Sequence, residues 1–186
     1  MPAILRTARA CALALATLGL TATTFAAAPS ANAAPGSGTV NLSTTDVREG
    51  TLVTQRRLAA RRTVARRVLS AKAIAMNQRG DLYAYGAAGP ARFDCSGLIY
   101  YSYRRAGFNV PRTSSAQAGH TRRIAKQNMR TGDLMFFYGG GGVYHAAIFL
   151  GWSRGHAVML HSPGSGQRVR VAATWTSRWF GGTLRR

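Results

Sequence analysis

The stretch RFDCSGLIYYSYRRAGFNVPRTSSAQ, residues 92–117, decides how this chain folds. From Cys95 to Ala106 no residue after Gly97 breaks a helix, and Gly107 stands where a left-handed C-terminal cap is expected. Asp94 precedes the run as an N-cap whose carboxylate can accept from the orphaned amides of the first turn. The spacing therefore predicts a helix with Cys95 in its first turn. Beyond it, residues 108–132 read as mixed, with a short helix after Thr113 or Ser114.

Upstream, Thr54 to Asn77 lacks proline and glycine and is rich in alanine, arginine and leucine, so a helix is expected there. Its arginine pairs at 56/57, 61/62 and 66/67 advance about 140° per step around a helix, which spreads charge over the whole circumference. Residues 54–67 thus read as an exposed basic extension. From Val68, with Leu69, Ala73 and Met76, the helix can pack on a core. Downstream, Leu134 to Tyr138, His145 to Leu150, Ala157 to His161 and Arg168 to Ala172 are apolar or alternating runs punctuated by glycines, the pattern of an antiparallel meander. Helices followed by a sheet give an α+β domain over residues 68–186.

A thiol in the first turn of a helix meets unpaired amides and the positive end of the helix dipole, both of which favour thiolate. Cys95 is therefore a candidate nucleophile. Four histidines, His120, His145, His156 and His161, are available as its base. If Gly151 and Gly155 flank a three-residue turn, cross-strand partners have numbers that sum to 306, and His145 and His161 face each other with Cβ atoms about 5 Å apart. One imidazole then takes the thiol proton and the other fixes its tautomer. Another turn length would change this register. His120 and His156 read as ordinary surface or core residues. The chain has no CxxC, HxxxH or HExxH spacing, so neither a metal nor another cofactor is expected.

The N-terminus reads as an export signal: Arg6 and Arg9 precede an apolar run over residues 10–28, and Ala31 and Ala33 form a small-x-small cleavage pattern. Processing is expected after Ala33, giving a secreted, extracellular or wall-associated protein. Residues 34–53 read as a flexible leader. Loss of Cys11 with the signal leaves Cys95 alone in an oxidising compartment, unable to form an internal disulfide. The 25 basic and 5 acidic residues give a net charge of +20, or +18 without Arg6 and Arg9. Such a field favours polyanions, and export makes anionic wall polymers or a membrane surface more natural partners than nucleic acid, for which no recognition motif is present. A solvated helix without a partner is the alternative for residues 54–67.

The segment 92–117, followed by TGDLMFF (131–137), YHAAIFLG (144–151) and MLHSPGSG (159–166), resembles the NlpC (p-sixty) family of cell-wall cysteine peptidases over residues 68–175. The resemblance implies a papain-like α+β core, with a helix presenting the cysteine packed on an antiparallel sheet presenting the histidines. It also implies that Cys95 is the nucleophile, His145 the base and His161 the orienting residue. Tyr83 matches a tyrosine beside the nucleophile, and Asp94 and Ser96 flank it where substrate would bind. The implied substrate is a peptidoglycan stem peptide, cut between γ-linked D-glutamate and the following diamino acid by a monomeric enzyme. The stretch LYAYGAAG, residues 82–89, departs from the Pro-Tyr and Trp-Gly-Gly of many members, so the groove is expected to differ in shape. A non-catalytic cationic wall- or membrane-binding protein on the same scaffold is the alternative reading.

Overall fold

The computed structural model describes residues 44–185. The expected signal segment 1–33 and the first part of the leader lie outside the described residues. Helix α1 spans Thr44–Met76, ten residues longer at its start than the composition predicts. Residues 44–53 are thus helical rather than leader. Gly50 within them costs about 1 kcal/mol relative to alanine. Arg48 to Thr63 is exposed throughout, as expected of the basic extension. The buried face of α1 is Val68, Ala71 and Ala75. Leu69, expected in the core, is 48% exposed, and Ala73 is exposed too. The true stripe follows the i, i+3, i+7 spacing of one helix face, whereas 68, 69 and 73 straddle its edge. Arg67 is not part of a free extension either: its Nε donates to the Ala106 carbonyl at 2.9 Å and its guanidinium lies over the Phe108 ring.

Two short parallel strands follow, β1 (Leu82–Tyr83) and β2 (Arg92–Phe93), and β2 runs directly into α2 (Cys95–Arg105). Asp94 caps α2 with an extended backbone, and Gly107 takes the left-handed conformation after its end. Helix α3 (Ser114–His120) begins where a short helix is expected, capped by Thr113. The sheet comprises β3 (Arg122–Ile124), β4 (Leu134–Gly139), β5 (Gly142–Ser153), β6 (His156–His161), β7 (Arg170–Ala173) and β8 (Trp179–Thr183). It is antiparallel in the order β3-β8-β4-β5-β6-β7. The meander β4 to β7 matches the sequence reading, and β3 and β8, which the sequence did not single out, extend it on the β4 side.

Alternation along the central strands buries both faces. Leu134, Phe136, Ala146, Ile148 and Leu160 meet α1 and α2, while Met135, Phe137, Ala147, Phe149 and Met159 form a second cluster with Trp179. Each fully buried side chain of this size stabilises by about 1.5–3 kcal/mol. Tyr103 reaches through the first cluster to donate to the Gly132 carbonyl, joining α2 to the start of β4.

The β5–β6 hairpin differs from the expected register. Ser153 pairs with His156 around a two-residue turn in which Arg154 and Gly155 both have positive φ, 47° and 78°. A bulge between Phe149 and Gly151 then shifts the pairing by one, so that Ile148 faces Leu160 and Phe149 faces Met159. The net displacement from the expected register is two residues. An even shift preserves facing, so His145 and His161 remain on one face as diagonal rather than direct neighbours.

Candidate active site

Cys95 is positioned by the cap of its helix. Asp94 Oδ1 accepts from the Gly97 amide at 2.6 Å and from Arg112 Nη1 at 3.0 Å; Oδ2 accepts from Arg112 Nη2 at 2.6 Å and from the Gly86 amide at 3.0 Å. Ser96 Oγ donates to Oδ1 at 3.3 Å and accepts from Arg112 Nη1 at 3.1 Å. The Asp94 carboxylate is therefore fully engaged, and at the groove it acts by fixing Arg112 and the first turn of α2. Gly97 is required by a close approach, since a Cβ there would stand 2.1 Å from the Ala87 carbonyl oxygen. Gln117 ties α3 to the same turn, donating to the carbonyls of Ser96 and Pro111, both at 2.9 Å.

The sheet is fastened to this turn by Ser162, whose buried hydroxyl donates to the Phe93 carbonyl at 2.7 Å. His161 immediately precedes it. His145 Nε2 lies 3.0 Å from His161 Nδ1, with ring planes at 85°. The amide of Ala146, the residue after His145, is directed at the Cys95 sulfur, as are the amides of Cys95 and Ser96. Cys95 and the histidine pair are thereby brought to one place: the Ala146 amide joins β5 to the thiol, and His145 turns Nε2 to His161. His161 Nε2 is buried without a hydrogen-bond partner among the described residues.

Burial sets the resting protonation. It pushes the Cys95 thiol up despite the three amides that favour thiolate, and nearby Asp94 adds to the rise. His145 is lowered to about 3, first by burial and then by His161; His161 is lowered to about 4, first by burial and then by Arg170. The amides at the helix start favour thiolate, as expected, but desolvation of the partly buried sulfur outweighs them. Burial thus favours the uncharged forms of all three side chains.

The thiol opens on a cavity of about 440 Å³ lined by Tyr83, Tyr85, Cys95, Arg112, Ser114 and Tyr144. Tyr83 lies within electrostatic reach of Cys95 and Asp94; burial first, then these charges, raise its pKa, so it remains a hydroxyl donor. Asp94 and Ser96 line the same cavity. Tyr85, one of the departures noted in the sequence, is 92% exposed at its mouth. His120 and His156 are exposed and take no part. Among the described residues no group of three or more His, Cys, Asp or Glu side chains is arranged to hold a metal.

Two contributors escaped the sequence reading. Arg112 sits in the quoted segment, but only the fold aims it at Asp94. Trp175, in the loop between β7 and β8, stacks on Phe137 at 4.5 Å and 10° and lies 5.6 Å from His161 at 28° and 5.5 Å from His145. It covers the histidine pair with one face while remaining 54% exposed. No spacing signal marks a loop tryptophan for that role.

The NlpC/P60 family model matches residues 80–184, which contain the groove, the thiol and both histidines. The chain belongs to the NlpC/P60 family. Among curated relatives it is 43% identical over 77 residues to "Probable endopeptidase p60" of Listeria monocytogenes, covering 41% of this chain and 16% of that protein. It is 38% identical over 115 residues to peptidoglycan endopeptidase RipA of Mycobacterium tuberculosis, covering 55% of this chain and 23% of that protein. The chain thus spans under a quarter of the length of either relative. Among solved structures it resembles Rv1477, a hypothetical invasion protein of M. tuberculosis, with a TM-score of 0.58, 31% identity and coverage of 66% and 64% of the two chains. It also resembles RipD of M. tuberculosis, described as a non-catalytic NlpC/p60 domain protein adapted to peptidoglycan binding, with a TM-score of 0.54, 27% identity and coverage of 63% and 97%. The NlpC/P60 match starts after α1, so the basic helix lies outside the matched region.

Proposed function

We propose that this chain is a peptidoglycan endopeptidase that hydrolyses an amide of the stem peptide through Cys95, His145 and His161. The observation that carries the reading is the His145 Nε2 to His161 Nδ1 contact beside a thiol at a helix N-terminus. As the Cys95 sulfur bonds to the scissile carbonyl carbon, His145 Nδ1 takes the thiol proton. The carbonyl oxygen becomes an oxyanion, to which the first amides of α2 and the Tyr83 hydroxyl can donate. Collapse breaks the C–N bond, and His145 returns the proton to the leaving amine. Water then attacks the thioester, with its proton passing to His145, and the thiol is restored as the acid departs. His161 accepts from His145 Nε2 and holds the ring in place.

The bond proposed is that between γ-linked D-glutamate and the diamino acid, following the family resemblance, and the partners are stem peptides together with anionic wall polymers on the basic helix. Export through residues 1–33 and release after Ala33 complete the proposal; N-terminal sequencing of the protein from culture medium should begin at Ala34. Digestion of purified peptidoglycan, with fragments identified by mass spectrometry, should yield a new D-glutamate carboxyl and a free diamino-acid amine. The net charge of +20 and the likeness to RipD favour a second reading, a non-catalytic wall-binding protein. Wall binding without any new fragment would establish that reading instead.

A further inference from the structure

The cavity richest in arginine is not the catalytic groove. It has a volume of about 430 Å³ and lies between α1 and the strand edge formed by β3 and β8. Arg61 of α1, Arg122 of β3, Arg130 before β4 and Arg185 after β8 line it, with Asp133 as its only acid. No residue is shared with the groove around Cys95.

The charges in this cavity do not balance internally. Asp133 Oδ1 accepts from Thr183 Oγ1 at 2.6 Å and from Arg185 Nη1, and Oδ2 accepts from the Arg130 amide at 2.7 Å. Arg185 Nη2 is also engaged, donating to the Thr131 carbonyl at 2.7 Å. The carboxylate and Arg185 therefore neutralise each other and are spent. Arg122 makes one long contact, 3.4 Å to the Arg185 carbonyl. The side chains of Arg61 and Arg130 have no hydrogen-bond or ion-pair partner among the described residues. Three uncompensated guanidinium groups, held on a helix, a strand and a loop, thus line one concave space. Their mutual repulsion is relieved when an anion enters.

We propose that this cavity binds a phosphate-bearing polyanion, with Arg61, Arg122 and Arg130 as its ligands. A tetrahedral phosphate offers acceptor oxygens in several directions, matching guanidinium forks that arrive from three different elements, whereas one carboxylate offers two oxygens in a plane. The cavity is also larger than a single phosphate needs. The exposed Arg56, Arg57 and Arg62 continue along α1, so a chain of phosphodiesters can lie on the helix with one phosphate seated in the cavity. This site localises the attraction to wall polymers proposed above, but it does not depend on catalysis.

The test uses the purified full chain and isothermal titration calorimetry with sodium tripolyphosphate at fixed salt. Replacing the three ligands together (R61Q, R122Q and R130Q) should weaken binding at least about tenfold, while removing three equal exposed charges away from both the cavity and α1 (R79Q, R92Q and R178Q) should weaken it less than about threefold. Equal losses in the two variants would mean a diffuse field and overturn the site, as would no loss in the first. Should the first variant fail to fold, Arg61→Glu against Arg79→Glu, both exposed, carries the same comparison. Poly-L-glutamate should bind more weakly and respond alike to both triple variants; a cavity-specific loss for poly-L-glutamate would overturn the assignment to phosphate. Each readout is binding, so the outcome is distinguishable from failure of the endopeptidase reading.

Discussion

Side-chain chemistry at the site follows from which protons move and which are held. Cys95→Ala and His145→Ala should each lower turnover of a soluble stem peptide at least about a hundredfold, since one supplies the nucleophile and the other both proton transfers. His161→Asn keeps an oxygen that can accept from His145 Nε2, so it should retain more activity than His161→Ala, and His120→Ala and His156→Ala should match the parent. Comparable inactivation by His156→Ala and His161→Ala in folded protein would contradict the triad. Trp175 is open to a sharper test. By covering both rings it helps exclude the water that would stabilise imidazolium, and the base must be neutral to act. The depressed His145 pKa should therefore keep kcat/KM level from pH 7 down to well below the usual histidine value of about 6.5. Trp175→Ala should move that acid limb upward and lower kcat with little change in KM, as read from pH–rate profiles; an unmoved limb would show that the tryptophan does not shield the pair.

At the scale of elements, two features can be probed by stability and binding. Gly97 in α2 has no room for a methyl group, so Gly97→Ala should destabilise the fold by about 1–3 kcal/mol in urea unfolding. A Cβ added at Gly119 in α3 would meet nothing within 4 Å, and Gly119→Ala should be neutral or stabilising by up to about 1 kcal/mol. Helix α1 is exposed from Arg48 to Thr63 and packs on the domain from Val68. Deleting residues 34–60 removes the exposed turns from Arg48 onward and nothing of the buried stripe that begins at Val68, so wall binding should weaken in a salt-sensitive way while small-peptide turnover persists. Cutting as far as residue 67 would also remove Arg67, which holds the Ala106 carbonyl and covers Phe108. Loss of small-peptide turnover in the shorter deletion would show that the exposed turns serve the domain itself.

The molecule as a whole carries an acid sensitivity set by its two buried imidazoles. Both have folded pKa values below the unfolded value of about 6.5, so unfolding takes up protons and their contribution to stability is complete above that pH. It is lost as pH falls through about 4 for His161 and about 3 for His145. The melting temperature should fall from pH 6.5 toward pH 4, and a His145→Gln, His161→Gln double variant should show a flatter profile over the same window. A profile unchanged by the double variant would show that other groups govern acid unfolding.

What the sequence alone determined is local. Asp94, Gly97 and Gly107 start and end α2, the glycine-bounded apolar runs mark four strands, and residue spacing keeps His145 and His161 on one side of the sheet. These follow from capping, backbone freedom and strand periodicity, which act between near neighbours. Tertiary structure decided the rest. The turn at Arg154 and Gly155 and the bulge after Phe149 set a register two residues from the simplest one, and packing against α2 and the sheet chose which side of α1 is buried. Short β3 and β8 lack a pattern of their own and become strands by pairing, β3 with β8 and β8 with β4. Arg112 and Trp175 reach the site from loops distant in sequence from their partners. Most consequentially, the helix terminus that favours a Cys95 thiolate is overruled by burial against β5. Desolvation depends on everything packed around an atom, and no local stretch of sequence states what that will be.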